Sequence, residues 1–133
     1  MDQNYFKSST GAELNLYSAV PAGSIRGVIQ ITHGMVEHAG RYNRFSEKCL
    51  ENGFAVFAHD LRGHGKTAGN IENVGQFAME DGWNKVVKDI IGLSYRFKRE
   101  NQKLPLFILG HSMGSFIARN VAYADTEVAD GYI

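Results

Sequence analysis

Only one cysteine, Cys49, occurs in the 133 residues, so no intramolecular disulfide can form. That is compatible with a reducing cytoplasm, the compartment expected here. Neither sign of charge dominates: 14 basic and 14 acidic residues leave a formal net charge of zero. The balance gives nucleic acid or an anionic membrane surface no electrostatic footing. No apolar run approaches the roughly 20 residues that span a bilayer, so no transmembrane segment is expected. The first stretch, MDQNYFKSSTGAELNLY, has no basic start followed by an apolar segment and does not read as a signal peptide. Repeats, low-complexity runs and linkers are missing too, which predicts one domain or part of one. The five histidines include no i, i+4 pair and no Cys/His zinc spacing, so no metal site is expected.

What is present is organised around Leu104 to Ala124. An apolar run, Leu106 to Leu109, leads into Gly110-His111-Ser112-Met113-Gly114, and helical spacing follows at Phe116, Ile117, Asn120, Val121 and Ala124. Strand, Gly-x-Ser-x-Gly, helix presents a serine hydroxyl at the tip of a sharp turn. The glycines leave the space that such a turn requires. The free N–H groups of the helix start favour developing negative charge near Ser112.

Earlier in the chain, Glu13 to Ser18 alternates as a half-buried strand does. Ile25 to Thr32 is a second, β-rich strand, expected to pair with the first as a hairpin at one edge. Arg41 to Asn52 has helical spacing and stops at Asn52-Gly53. Phe54 to His59 is nearly continuous in apolar residues, as strands buried on both faces are. Lys66 to Gln76 shows no period. Glu80 to Glu100 reads as a helix with Trp83, Val86, Val87, Ile90, Ser94 and Phe97 on one side. Val128 to Ile133 reads as a turn into a further strand. This alternation predicts an α/β fold, a mostly parallel sheet with helices on both faces. Ligands in such sheets bind outside the carboxyl ends of the strands. Three features fall there: His33-Gly34-Met35, Asp60 to Gly65, and Gly110 to Gly114.

Ser112 is the candidate nucleophile, with backbone N–H groups of Met113 and Met35 as candidate oxyanion donors. Their side chains are read only as apolar neighbours. His33 and His111 flank the site, and neither is read as the general base. His38 and His64 are expected to fix loops by hydrogen bonds, and His59 to be packed and hydrogen-bonded. Asp60 is expected to tether loops, and Cys49 to be a small buried helix residue.

His33 to His38 with Arg41-Tyr42, then Asp60-Leu61-Arg62-Gly63-His64-Gly65, then Gly110 to Ser115 resemble the monoacylglycerol lipase and lysophospholipase branch of the α/β-hydrolases, also described as serine-aminopeptidase-like. Phe77 to Ile91 resembles it as well, and the likeness runs from about Leu14 to Ile133. Thr67 departs from it, since the family usually follows Gly-His-Gly-x with serine. The resemblance implies an α/β-hydrolase fold and a serine hydrolase of carboxylic esters. A monoacylglycerol or lysophospholipid is the favoured lipid-like substrate, and a peptidase, thioesterase or other small-ester hydrolase is the alternative. No cofactor is implied. Glu37 and Arg41 would meet the polar head of the substrate, although the residues alone read equally well as solvated charges at a helix start.

The implied triad runs serine, acid, histidine along the chain. After Ser112 there are Asp125, Glu127 and Asp130 but no histidine. Residues 1–133 are therefore expected to be the N-terminal portion of one domain, truncated before the last strands and the cap, and inactive alone. The rival expectation is a non-catalytic scaffold that self-associates or needs another chain or segment through its unfinished sheet.

Overall fold

The computed structural model describes residues 1–133. The strands are β1 (Asp2–Lys7), β2 (Glu13–Ala19), β3 (Gly27–Thr32), β4 (Phe54–His59), β5 (Leu106–Gly110) and β6 (Gly131–Tyr132). The helices are α1 (Asn43–Glu51), α2 (Gly82–Glu100) and α3 (Met113–Ala124), with short 3-10 turns at Ala39–Tyr42, Gly65–Ala68 and Ile71–Asn73. They form one six-stranded sheet in the order β1-β2-β4-β3-β5-β6. The pairs β4–β3, β3–β5 and β5–β6 are parallel. The predicted α/β architecture is thus the observed one.

The strand order reverses at β3. The crossover through α1 leads to β4 on one side, and the crossover through α2 leads to β5 on the other. Right-handed crossovers in opposite directions must lie on opposite faces of the sheet. Accordingly, Cys49 of α1 packs with Ile29, Ile31, Val56 and Ala58. Leu93 and Phe97 of α2 pack with Val28, Ala55, Phe57 and Leu106 on the other face. Phe57 and Phe97 stack with ring centroids 3.9 Å apart. The α2–α3 layer closes over Ile108 through Val86, Ile90, Ile117 and Val121. The reversal leaves a crevice between the carboxyl ends of β3 and β5, the usual ligand position in such sheets.

The expected hairpin between the first two predicted strands is not formed. β2 pairs antiparallel with β1 on one side and with β4 on the other, from Leu16↔His59 to Ala19↔Val56. β3 is buried at all six residues and has a parallel neighbour on each edge, so no edge remains for β2. β1 escaped the sequence reading because five of its six residues are exposed and only Tyr5 and Phe6 are large and apolar. The helix expected over residues 41–52 begins instead as a 3-10 turn and becomes α-helical at Asn43. Trp83, expected on the core side of α2, remains 37% exposed and tilts against Phe77. No helix is long and apolar enough to cross a membrane.

Candidate active site

The turn after β5 is strained at its tip. Ser112 has φ 53° and ψ −120°, a conformation that side-chain-bearing residues rarely adopt. Its neighbours explain how the turn closes. A Cβ on Gly110 would lie 2.5 Å from the Gly114 carbonyl oxygen, and one on Gly114 would lie 2.0 Å from the Thr32 oxygen. The two glycines thus let α3 start directly against β5 and β3. Ser112 is exposed, and its hydroxyl makes no hydrogen bond to protein. Met113 is the first residue of α3, where N–H groups have no intrahelical acceptor.

The loop after β3 comes up beside this turn. A Cβ on Gly34 would lie 3.1 Å from both Ser112 Cβ and the His111 carbonyl oxygen. The next residue is Met35, whose N–H donates to no protein group. Met35 and Met113 line one cavity of about 280 Å³ with Val36, Val74, Phe77 and His64. The fold therefore brings Ser112, Met113 and the Gly34–Met35 loop together.

Glu37 packs against the same loop, its Oε1 lying 3.0 Å from where a Cβ on Gly34 would be. Arg41 Nη1 donates to Glu37 Oε2 at 2.7 Å, with the arginine side chain 68% exposed and the glutamate 4%. Glu37 Oε1 accepts from the Gly34 N–H, the Tyr42 hydroxyl and His111 Nδ1 at 2.5, 3.0 and 2.8 Å. Burial alone would raise the carboxyl pKa, but hydrogen bonds from Gly34, His111 and Tyr42 outweigh it and hold the group at about 2. Burial and the Glu37 carboxylate push the Tyr42 phenol upward.

The histidines differ in their partners. His33 is fully buried; Leu61 N–H donates to its Nε2 at 2.9 Å, so Nδ1 carries the proton that goes to the Gly34 oxygen at 2.7 Å. Burial lowers its pKa, and the ring stays neutral. His64 Nδ1 donates to the Arg62 oxygen at 2.8 Å, as expected of a loop-fixing residue. His38 is exposed and makes no such bond. His59 is packed as expected, but neither ring nitrogen has a partner, nor does the hydroxyl of Thr32. Burial pushes His59 down to about 4.

Asp60 tethers as read from sequence. Its carboxylate accepts from Asn15 Nδ2 and from the N–H groups of Ala39 and Lys66, at 2.8–2.9 Å. Thr67 fills the position expected for serine: its hydroxyl donates to the Asp60 main-chain oxygen and accepts from the Asn15 N–H. Sequence reasoning missed Asn15, which is completely buried within a strand that reads as alternating. It also missed Asp89 on α2, which receives Arg62 at 2.6 Å and the hydroxyls of Ser8 and Thr10. A carboxylate on the mostly apolar face of α2 was the available signal.

A serine on a strained strand-to-helix turn at the reversal point of a mostly parallel sheet defines an α/β-hydrolase. The chain belongs to this superfamily, in the monoacylglycerol lipase-like branch; the serine aminopeptidase S33 family matches residues 23–133. It is 35% identical over 98 residues to the monoglyceride lipase of Homo sapiens, covering 74% of this chain and 30% of that protein. It is 36% identical over 93 residues to the monoglyceride lipase homolog of Monkeypox virus, covering 70% and 32%. A thermostable carboxyl esterase from Bacillus coagulans superposes with a TM-score of 0.89 at 34% identity, over 98% of this chain and 42% of that one. A monoglyceride lipase from Saccharomyces cerevisiae, solved with a substrate analog, gives 0.83 at 26% over the same shares. The chain thus spans about a third of the length of the curated relatives it matches.

Proposed function

We propose that this chain carries the nucleophile half of a serine hydrolase of carboxylic esters, with a monoacylglycerol or lysophospholipid as substrate. Ser112 attacks the ester carbonyl. The N–H groups of Met35 and Met113 stabilise the oxyanion, a contribution of about 10²–10³ in rate per donor. A histidine takes the serine proton and returns it to the leaving alcohol, and water then releases the fatty acid from the acyl-enzyme. The apolar cavity bordered by Met35, Val74, Phe77 and Met113 suits an acyl chain. Arg41, exposed and backed by Glu37, suits the polar head. A cytoplasmic location fits the single cysteine.

The observation that carries this reading is the strained, exposed Ser112 beside the Gly34–Met35 loop. The general base is the missing part: His33 has both nitrogens engaged, His111 Nδ1 is bound to Glu37, and no histidine follows Ser112. Residues 1–133 alone are therefore expected to show no steady hydrolysis of a short-chain ester and no robust fluorophosphonate labelling of Ser112. Strong labelling and turnover by this polypeptide would overturn that expectation.

A second reading, a scaffold completed by another copy, chain or segment, draws on one observation. β6 is at the sheet edge, and the groove between it and α3 is lined by Ala118, Ala122, Tyr132 and Ile133, with Phe116 and Tyr123 exposed nearby. Sedimentation of the polypeptide tests completion by another copy: a monomer at micromolar concentration counts against self-association.

A further inference from the structure

Glu37 is joined to more of the site than any other side chain. One carboxylate oxygen receives three donors from three places: the Gly34 N–H in the loop after β3, Tyr42 at the entrance to α1, and His111 immediately before Ser112. The other receives Arg41. With 4% of its side chain exposed, the carboxylate is committed to protein donors and not to solvent. Between Gly34 and Glu37 lies Val36, at φ 58° and 91% exposed. A β-branched residue does not adopt a positive φ by its own preference. Val36 also makes no burial gain that would hold it there. Something on either side must impose the conformation, and Glu37 is the adjacent residue anchored by four donors.

We propose that Glu37 is a clasp, a positioning residue that holds the Gly34–Val36 loop in a strained arrangement and ties it to the Ser112 turn through His111. In the reading given above, on which this rests, the clasp fixes the Met35 N–H relative to Ser112. Glu37 then acts through the loop, and Arg41 is left as the group that reaches outward.

The test is a stability cycle with Val36→Gly, Glu37→Gln and the double variant of this polypeptide, followed by thermal melts and ¹H–¹⁵N spectra. If the clasp imposes the strain, Val36→Gly raises Tm while Glu37 is present and does so little or not at all beside Glu37→Gln, where the loop has already relaxed. An equal rise in both backgrounds would overturn the proposal, because the strain would then belong to the loop itself. The spectra read positioning: Glu37→Gln should move the amides of Gly34, Met35, His111, Ser112 and Met113 together. Shifts confined to Arg41 and Tyr42 would also overturn it. Should Glu37→Gln fail to fold, Tyr42→Phe removes one donor to the same oxygen, and the same amides must move. None of these readouts needs turnover, so the clasp stands or falls independently of whether Ser112 hydrolyses esters.

Discussion

At Ser112, backbone strain and exposure are combined in one residue. A side chain at φ 53° and ψ −120° costs on the order of 1–3 kcal/mol, held in place by the close packing of Gly110 against the start of α3 and of Gly114 against β3. The usual ranking of small residues should therefore invert here. Ser112→Gly is expected to be more stable than Ser112→Ala by about 1 kcal/mol, although glycine ordinarily loses to alanine through unfolded-state entropy. Urea denaturation of the two variants measures the sign, and an alanine variant of equal or greater stability would contradict it. The turn itself was legible from Gly-x-Ser-x-Gly between an apolar run and a helical period. The hydrogen bonds of Glu37 were not, because its partner His111 is 74 residues away in sequence.

Among the elements, the β1–β2 hairpin depends on one buried charge. Asp89 on α2 is paired with Arg62 and also receives Ser8 and Thr10 from the hairpin turn. Removing one partner of a buried ion pair strands the other, at a cost of about 3–5 kcal/mol. Asp89→Ala is thus expected to lower stability by that order and to loosen the hairpin. Hydrogen exchange should show protection lost first across β1 and β2, while β3 and β5 stay protected. A uniform loss across the sheet would mean that Asp89 supports α2 rather than the hairpin. β4 was readable from its continuous apolar run and α2 from its helical period, within two residues at each end. β1 was not, since an exposed edge strand need not carry an apolar pattern.

For the whole molecule, buried ionisable groups predict acid sensitivity in two stages. His59 is held at about 4 by burial, against about 6.5 when unfolded. Between those values the unfolded chain binds a proton that the folded chain does not, so stability falls as pH drops from about 6.5 to 4, by on the order of 3 kcal/mol. Glu37 acts lower down. Its carboxyl is held at about 2, so its contribution is complete above about 4.5 and is lost as pH falls towards 2. Denaturation midpoints across pH 7 to 3 should show a decline through the first window, and His59→Gln should flatten it. An unchanged slope in that variant would place the acid sensitivity in other groups, His33 among them, which burial also lowers.

The linear chain by itself determined most local elements and their periods, the glycines of the turn, and the three strand ends at which the candidate site residues fall. These depend on neighbours in sequence, through alternation, helical spacing and backbone sterics. Tertiary structure decided which strands pair and which polar side chains meet. β2 joined β4 because both edges of β3 were taken by parallel crossovers. Asn15, Asp60 and Thr67 became one network, and Glu37 became the link between loop and turn, because the fold brings distant donors to a buried carboxylate. Burying a charge is costly without such donors, and only the closed sheet supplies them.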